Sequence, residues 1–247
     1  MYSIMIIGTA GSGKTALTAA FSEWLKNNER NVGILNLDPG VKWLPYAPDI
    51  DIREYIDFEA VMEKYNLGPN GALVACIDMI ANYFGEIRDE ITSLEPEFLL
   101  VDTPGQMELF AFRSVGPYII SRIGGENIIV LCLLDSIFTK NPSSFVSALL
   151  LSTSVQYRFL KPQINVISKS DLLTLEEKEK IEQWIENPDE LKMTLIEKEQ
   201  VLRGELNKKL IDAISTELLA DLVFTSATTW EGLDNLFALI QRISAEV

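Results

Sequence analysis

Six runs of the chain are apolar almost from end to end: SIMIIG (3 to 8), VGILNL (32 to 37), FLLVD (98 to 102), NIIVLCLLD (127 to 135), INVIS (164 to 168) and LVFTS (222 to 226). A strand with one wet face alternates apolar and polar residues, whereas one apolar throughout needs cover on both faces. Helical spacing fills the intervals, notably 15 to 27, 71 to 92, 143 to 159 and 231 to 245. Strand and helix in alternation predict an α/β fold of three layers, a doubly wound and mostly parallel sheet between helices. Such sheets bind ligands beyond the carboxyl ends of their strands, so the residues just after each run carry the functional signal.

Two connections are longer than a crossover requires. Residues 38 to 97 hold a Pro-rich loop (DPGVKWLPYAPDID), a short helix near 57 to 65, a Gly68-Pro69-Asn70 turn and a long helix, while 172 to 221 are dense in Glu and Lys at helical spacing. Both are expected to be helical insertions within a single domain over 1 to 247, and the EEKEKIEQ run within the second to be a solvated helix face. With 247 residues, 47% of them hydrophobic, the chain can build a sizeable core.

Composition removes several classes of chemistry. A net charge of -15 argues against broad binding of nucleic acid through its phosphates, though not against a phosphorylated ligand in a local site. The absence of histidine excludes Ser-His and Cys-His nucleophile pairs and imidazole zinc sites, so any metal must be held by oxygen. Cys76 and Cys132 lie in apolar stretches and are expected to be buried thiols of a reducing compartment. MYSIMIIG has no charged segment and cleavage site of a leader, and IIVLCLL (128 to 134) is far shorter than the roughly 20 residues of a membrane-spanning helix. A cytoplasmic location without membrane or nucleic-acid partners is the expectation.

The first run ends in GTAGSGKT, Gly8 to Thr15, with a strand before it and a helix after it. This is the phosphate-binding loop (P-loop) pattern of the P-loop NTPases. Gly8, Gly11 and Gly13 let the backbone wrap phosphates; Ser12 and Ala16 add N–H groups near the helix start; Lys14 reaches the outer phosphates and Thr15 ligates Mg²⁺. The third run ends in DTPG: Asp102 is too costly to bury unpaired and is expected to meet Mg²⁺ directly or through a water, while the Gly105 N–H faces a terminal phosphate. After the fifth run comes SKSD (168 to 171), and the sixth ends in TSA with Ser226 and Ala227. Together these resemble the guanine-recognition pair of GTPases. Asp171 accepts two guanine N–H bonds, the Lys169 stem covers the ring and the Ala227 N–H meets the oxo group, an arrangement that adenine cannot satisfy. Ser168 stands where Asn or Thr is commoner, and Asp171 also suits a plain helix cap.

With GTAGSGKT, NLDPG, LGPN, DTPGQME, SKSD and TSA in order, the sequence resembles the GPN-loop GTPases over almost its whole length. The resemblance implies a homodimer, or a heterodimer with a paralogue, in which the GPN of one subunit reaches the nucleotide of the other, so that Asn70 acts in trans. It also implies that Asp38 lies near water and magnesium, that Gln106 and Glu108 help orient the attacking water, and that the cellular role is assembly of a protein complex, as for eukaryotic relatives linked to RNA polymerase assembly. Gly40 replaces the family's commoner Ala, which is expected to loosen its loop; Thr9 and Ala10 stand where related dimeric NTPases carry a trans-acting lysine.

Each element also has a plainer reading. Asn70 is a preferred helix cap, Gln106 and Glu108 suit a helix start, and MELFAFRSVGPYII (107 to 120) is either a client groove or two core helices. The functional alternatives are a nucleotide-binding scaffold with negligible turnover, or an ATP-dependent kinase or metal-delivery NTPase. SKSD with TSA opposes ATP, and the shortage of soft ligands opposes metal delivery.

Overall fold

The computed structural model describes residues 1–123, 127–198, 209 and 222–246. Among these, the six apolar runs become strands β1 (Tyr2–Gly8), β2 (Val32–Asn36), β4 (Phe98–Asp102), β5 (Ile128–Asp135), β6 (Gln163–Ser168) and β7 (Leu222–Phe224). A two-residue strand, β3 (Ile50–Asp51), pairs with Leu35 and Asn36 of β2. Neither its length nor its composition signalled it; the pairing alone makes it a strand. The order is β3-β2-β4-β1-β5-β6-β7, and every ladder is parallel.

The double-sided cover inferred from the apolar runs follows the pleat. Ile4 and Ile6 pack with Leu17 and Phe21 of α1 (Lys14–Asn27) and Leu236 and Ile240 of α10 (Leu233–Glu246). Met5 and Ile7 face the other way, onto α2 (Phe58–Tyr65), α3 (Pro69–Leu94), α4 (Met107–Ala111) and α5 (Val115–Arg122). A third cluster joins β5 and β6 to α7 (Pro142–Phe159), α8 (Leu175–Glu186) and α9 (Pro188–Lys198), which follow the short α6 (Ser136–Thr139). Thus 107 to 120 forms two short helices whose Met107, Phe110, Ile119 and Ile120 are core. The second insertion is described only for α8, capped by a reciprocal Thr174–Glu177 box, and for α9; most of its remainder lies outside the described residues.

Helix α3 starts earlier than its apolar spacing suggested. Gly68 is its N-cap and Pro69 its first residue, where a fixed φ and a missing N–H cost nothing. Its buried residues Ala72, Cys76, Ile77, Ile80, Phe84, Ile87 and Ile91 keep one stripe on the sheet, and it ends at Glu95 in the left-handed region, φ 45, just before Pro96. No helix among the described residues is long and apolar enough to cross a membrane.

Candidate active site

Strand β1 lies between β4 and β5, where the winding of the sheet changes direction, so a crevice opens beyond its carboxyl end. The phosphate loop fills that position. Gly11 and Gly13 adopt φ 78 and 91, which a side chain would strain, in the bend ahead of α1, where the Ser12 N–H donates to the Thr9 carbonyl at 3.1 Å. Lys14 is buried beneath the loop, its Nζ donating to the carbonyls of Gly8 (2.9 Å), Thr9 (3.0 Å) and Gly105 (3.0 Å). Burial lowers its pKa, against the opposing pull of Asp102, Asp38 and Glu108. The Ser12 Oγ is buried without a partner among the described residues, and Ala16 is exposed in the first turn of α1.

Asp102, only 1% exposed, ends β4 beside this loop. Its Oδ2 accepts from the Tyr46 hydroxyl at 2.7 Å, while its Oδ1 is buried and unpartnered among the described residues. Burial pushes its pKa up to about 6, opposed by Tyr46, Thr15 and Lys14. Burial and Asp102 in turn push the Tyr46 phenol up, so it remains a donor. An orphaned carboxylate oxygen beside Thr15 is the donor set that a hard divalent cation takes.

Asp38 bridges two loops. Its Oδ1 accepts from Gly40 N and its Oδ2 from Gly105 N, both at 2.9 Å, so the Gly105 N–H expected to meet a phosphate is paired with Asp38. Asn36 orients this loop, accepting from Asp38 N at 3.1 Å and donating to Asp51, which Arg53 grips through both carboxylate oxygens. Gln106 is exposed at the N-cap of α4 without a side-chain cap bond, and Glu108 is exposed in its first turn. Glu108 lines, with Thr9, Ala10, Met107, Asp135 and Phe138, a cavity of about 580 Å³ beside the phosphate loop.

The base side is built from β5, β6 and β7. Ser168 Oγ donates to Ser12 O at 2.7 Å, so the short hydroxyl ties β6 directly to the phosphate loop. Lys169 sits at φ 57, its carbonyl taken by Ser136 Oγ; its Nζ reaches Gly11 O (2.6 Å) and Asp135 Oδ2 (2.7 Å), laying the stem along the loop. Asp171 lies in a 3-10 turn (Ser170–Leu172) that Lys169 caps, so it is not the cap itself; it is exposed, with no partner among the described residues. Ser226 Oγ accepts from Thr228 N and Thr229 N, shaping the turn that carries Ala227. Asn70 is exposed in the first turn of α3 and caps nothing.

Tyr46, Asn36 and Asp135 escaped sequence reasoning. Asp135 alone had a signal, as a carboxylate closing an apolar strand just as Asp102 does.

A family profile described as a conserved hypothetical ATP binding protein matches residues 6–246. A GPN-loop GTPase of Pyrococcus abyssi is 35% identical over 240 residues, 96% of this chain and 94% of the relative. This chain belongs to the GPN-loop GTPase family. GPN-loop GTPase 1 of Dictyostelium discoideum is 31% identical over 96% of the chain, which spans only 60% of that longer relative. The crystal structure of a Pyrococcus abyssi GTPase in apo form superposes with a TM-score of 0.85 at 34% identity, covering 98% of this chain and 96% of that one. The α/β fold with a parallel sheet and the family membership expected from the motifs are thereby met.

Proposed function

We propose that the protein is a Mg²⁺-dependent, GTP-hydrolysing homodimer, a single-domain molecular switch whose cycle serves assembly of a protein complex. One observation carries the choice of base: Asp171 is exposed and unpaired among the described residues, on a turn whose neighbours Ser168 and Lys169 are tied to the phosphate loop. A carboxylate held there accepts the paired N–H groups of guanine and rejects adenine. This reading sets aside the word ATP in the profile's description.

The phosphates replace the carbonyl partners of Lys14 and the Asp38 partner of Gly105, taking N–H donors from Gly11 to Ala16 and the partial positive charge of the α1 terminus. Thr15 and Asp102, with Asp38, would hold Mg²⁺, which when bound would supply neutralisation of charge on the phosphate oxygens. Asp38, Gln106 and Glu108 are the groups available to orient the water. Asn70 enters from the partner subunit, which accounts for an exposed amide at a helix start already capped by Gly68.

The test is GTP and ATP hydrolysis against protein concentration, with the mass in solution, for wild type, Asn70→Ala and Lys14→Ala. GTP-selective turnover by a dimer, lost in each variant and restored on mixing the two, is the expected result. Full activity of Asn70→Ala alone overturns the trans role. Equal turnover of ATP overturns the assignment of Asp171.

A further inference from the structure

Tyr46 is 56 residues from Asp102 in sequence, yet its hydroxyl donates to Oδ2 at 2.7 Å. The contact is not incidental to a wandering loop. Pro45 and Pro48 flank Tyr46 and fix their own φ angles. Downstream, Asp49 is bonded to Ile34 twice, N to O at 2.9 Å and Oδ2 from N at 2.8 Å; upstream, Arg53 holds the Val41 carbonyl at 3.1 Å. The phenol ring packs against the buried cluster that contains Ile6, Leu17 and Ile34. A phenol anchored at four points thus meets a carboxylate that is 1% exposed, and meets only one of its oxygens.

We propose that Tyr46 is a positioning residue for the divalent cation: its hydroxyl fixes one carboxylate oxygen of Asp102 and thereby presents the other to the metal. The inference rests on the reading of Asp102 as a metal-holding residue. A carboxylate turns about its terminal bond, and a ligand free to turn must be ordered each time a cation binds. A hydrogen bond from a rigid donor removes that freedom beforehand and selects which oxygen faces the site. Asp102 Oδ1, buried and unpartnered, is the oxygen so selected. Tyr46 touches neither nucleotide nor reacting atoms in this scheme, and its effect falls on the metal alone.

Tyr46→Phe keeps the ring in its cluster and removes the hydroxyl. A fluorescent GDP analogue is titrated first with EDTA and then at graded Mg²⁺ for wild type and variant, with thermal melts of both in EDTA. The expected result is GDP affinity in EDTA within about twofold of wild type and a Mg²⁺ half-saturation raised about tenfold, the usual size of losing a bond to a metal-ligating group. In an Asp102→Asn background the same change should shift the half-saturation no further. An unchanged half-saturation, or a loss equal with and without Mg²⁺, overturns the proposal and leaves Tyr46 a packing residue. If wild type itself binds GDP equally well with and without Mg²⁺, the reading of Asp102 falls and takes this inference with it.

Discussion

Replacing Asp171 by Asn tests base selection without disturbing the fold. The side chain is exposed and bonded to nothing among the described residues, while its turn is held by backbone bonds from Leu172 N to Lys169 O and Ser170 N to Thr225 O. Melting temperature should therefore not move. On the proposed reading the carboxylate would accept two N–H bonds from guanine, and hydrogen bonds to a charged group contribute about 1.5 to 3 kcal/mol each. The exposure of Asp171 argues for the lower figure, about 3 kcal/mol for the pair, or a loss of roughly 100-fold in GDP affinity. Xanthine carries an oxo group where guanine has its amine, so the Asn amide should restore a bond and XDP should gain where GDP loses. Competition of GDP, XDP and ADP against a fluorescent nucleotide measures all three. A variant that binds GDP within about threefold of wild type and gains nothing for XDP refutes the reasoning, because a turn bearing Asp171 would then not face the base.

Asp102 predicts a pH effect whose sign is opposite to that of an ordinary surface carboxylate. Its folded pKa of about 6 lies above the usual 3.8, so the protonated form favours folding below about pH 4 and that contribution is lost as pH rises through 6. Without divalent cation, Asp102→Asn should thus melt higher than wild type at pH 7.5, by on the order of 3 kcal/mol, and nearly equal to it at pH 4; urea melts at both pH values decide. Phe145→Ala should cost about 3 to 5 kcal/mol, since Phe145 is fully buried and stacks on Trp184 at 6.0 Å to join α7 to α8; a cost under about 1 kcal/mol in the same assay would mean that this cluster repacks freely.

What the sequence made legible was whatever a local pattern encodes. Runs such as IIVLCLL revealed strands covered on both faces, and GTAGSGKT located the phosphate loop because its chemistry requires glycines at fixed spacing followed by Lys14 and Thr15. Asp102 was conspicuous as a charge closing an apolar run. Contacts between distant segments were invisible: Tyr46 with Asp102, Asp38 with the Gly105 N–H, and Lys169 with both Gly11 and Asp135. Strand β3 was hidden for the same reason, since two residues acquire that conformation only from pairing with β2. The start of α3 was legible and misassigned. Pro69 at the first helical position was the stronger signal, and it displaces the cap to Gly68, leaving Asn70 with an exposed side chain.

Helix α3 carries that side chain at one tip of a rod of 26 residues, about 39 Å long at 1.5 Å per residue. The opposite tip is stitched to the start of β2, where Asn31 donates to Glu95 O, and the near third is gripped by the pairing of Arg113 with Asp78. The arm between them lies on the sheet through Ile77, Ile80, Phe84, Ile87 and Ile91, and Ala72 is fully buried in the first turn, so a tilt of about 5°, enough to sweep the near tip by roughly 3 Å, would lift core residues off the strands. Helix and sheet are thus one strut. If Asn70 acts in trans, as proposed, its reach is set by how two subunits dock and not by movement of the helix within one.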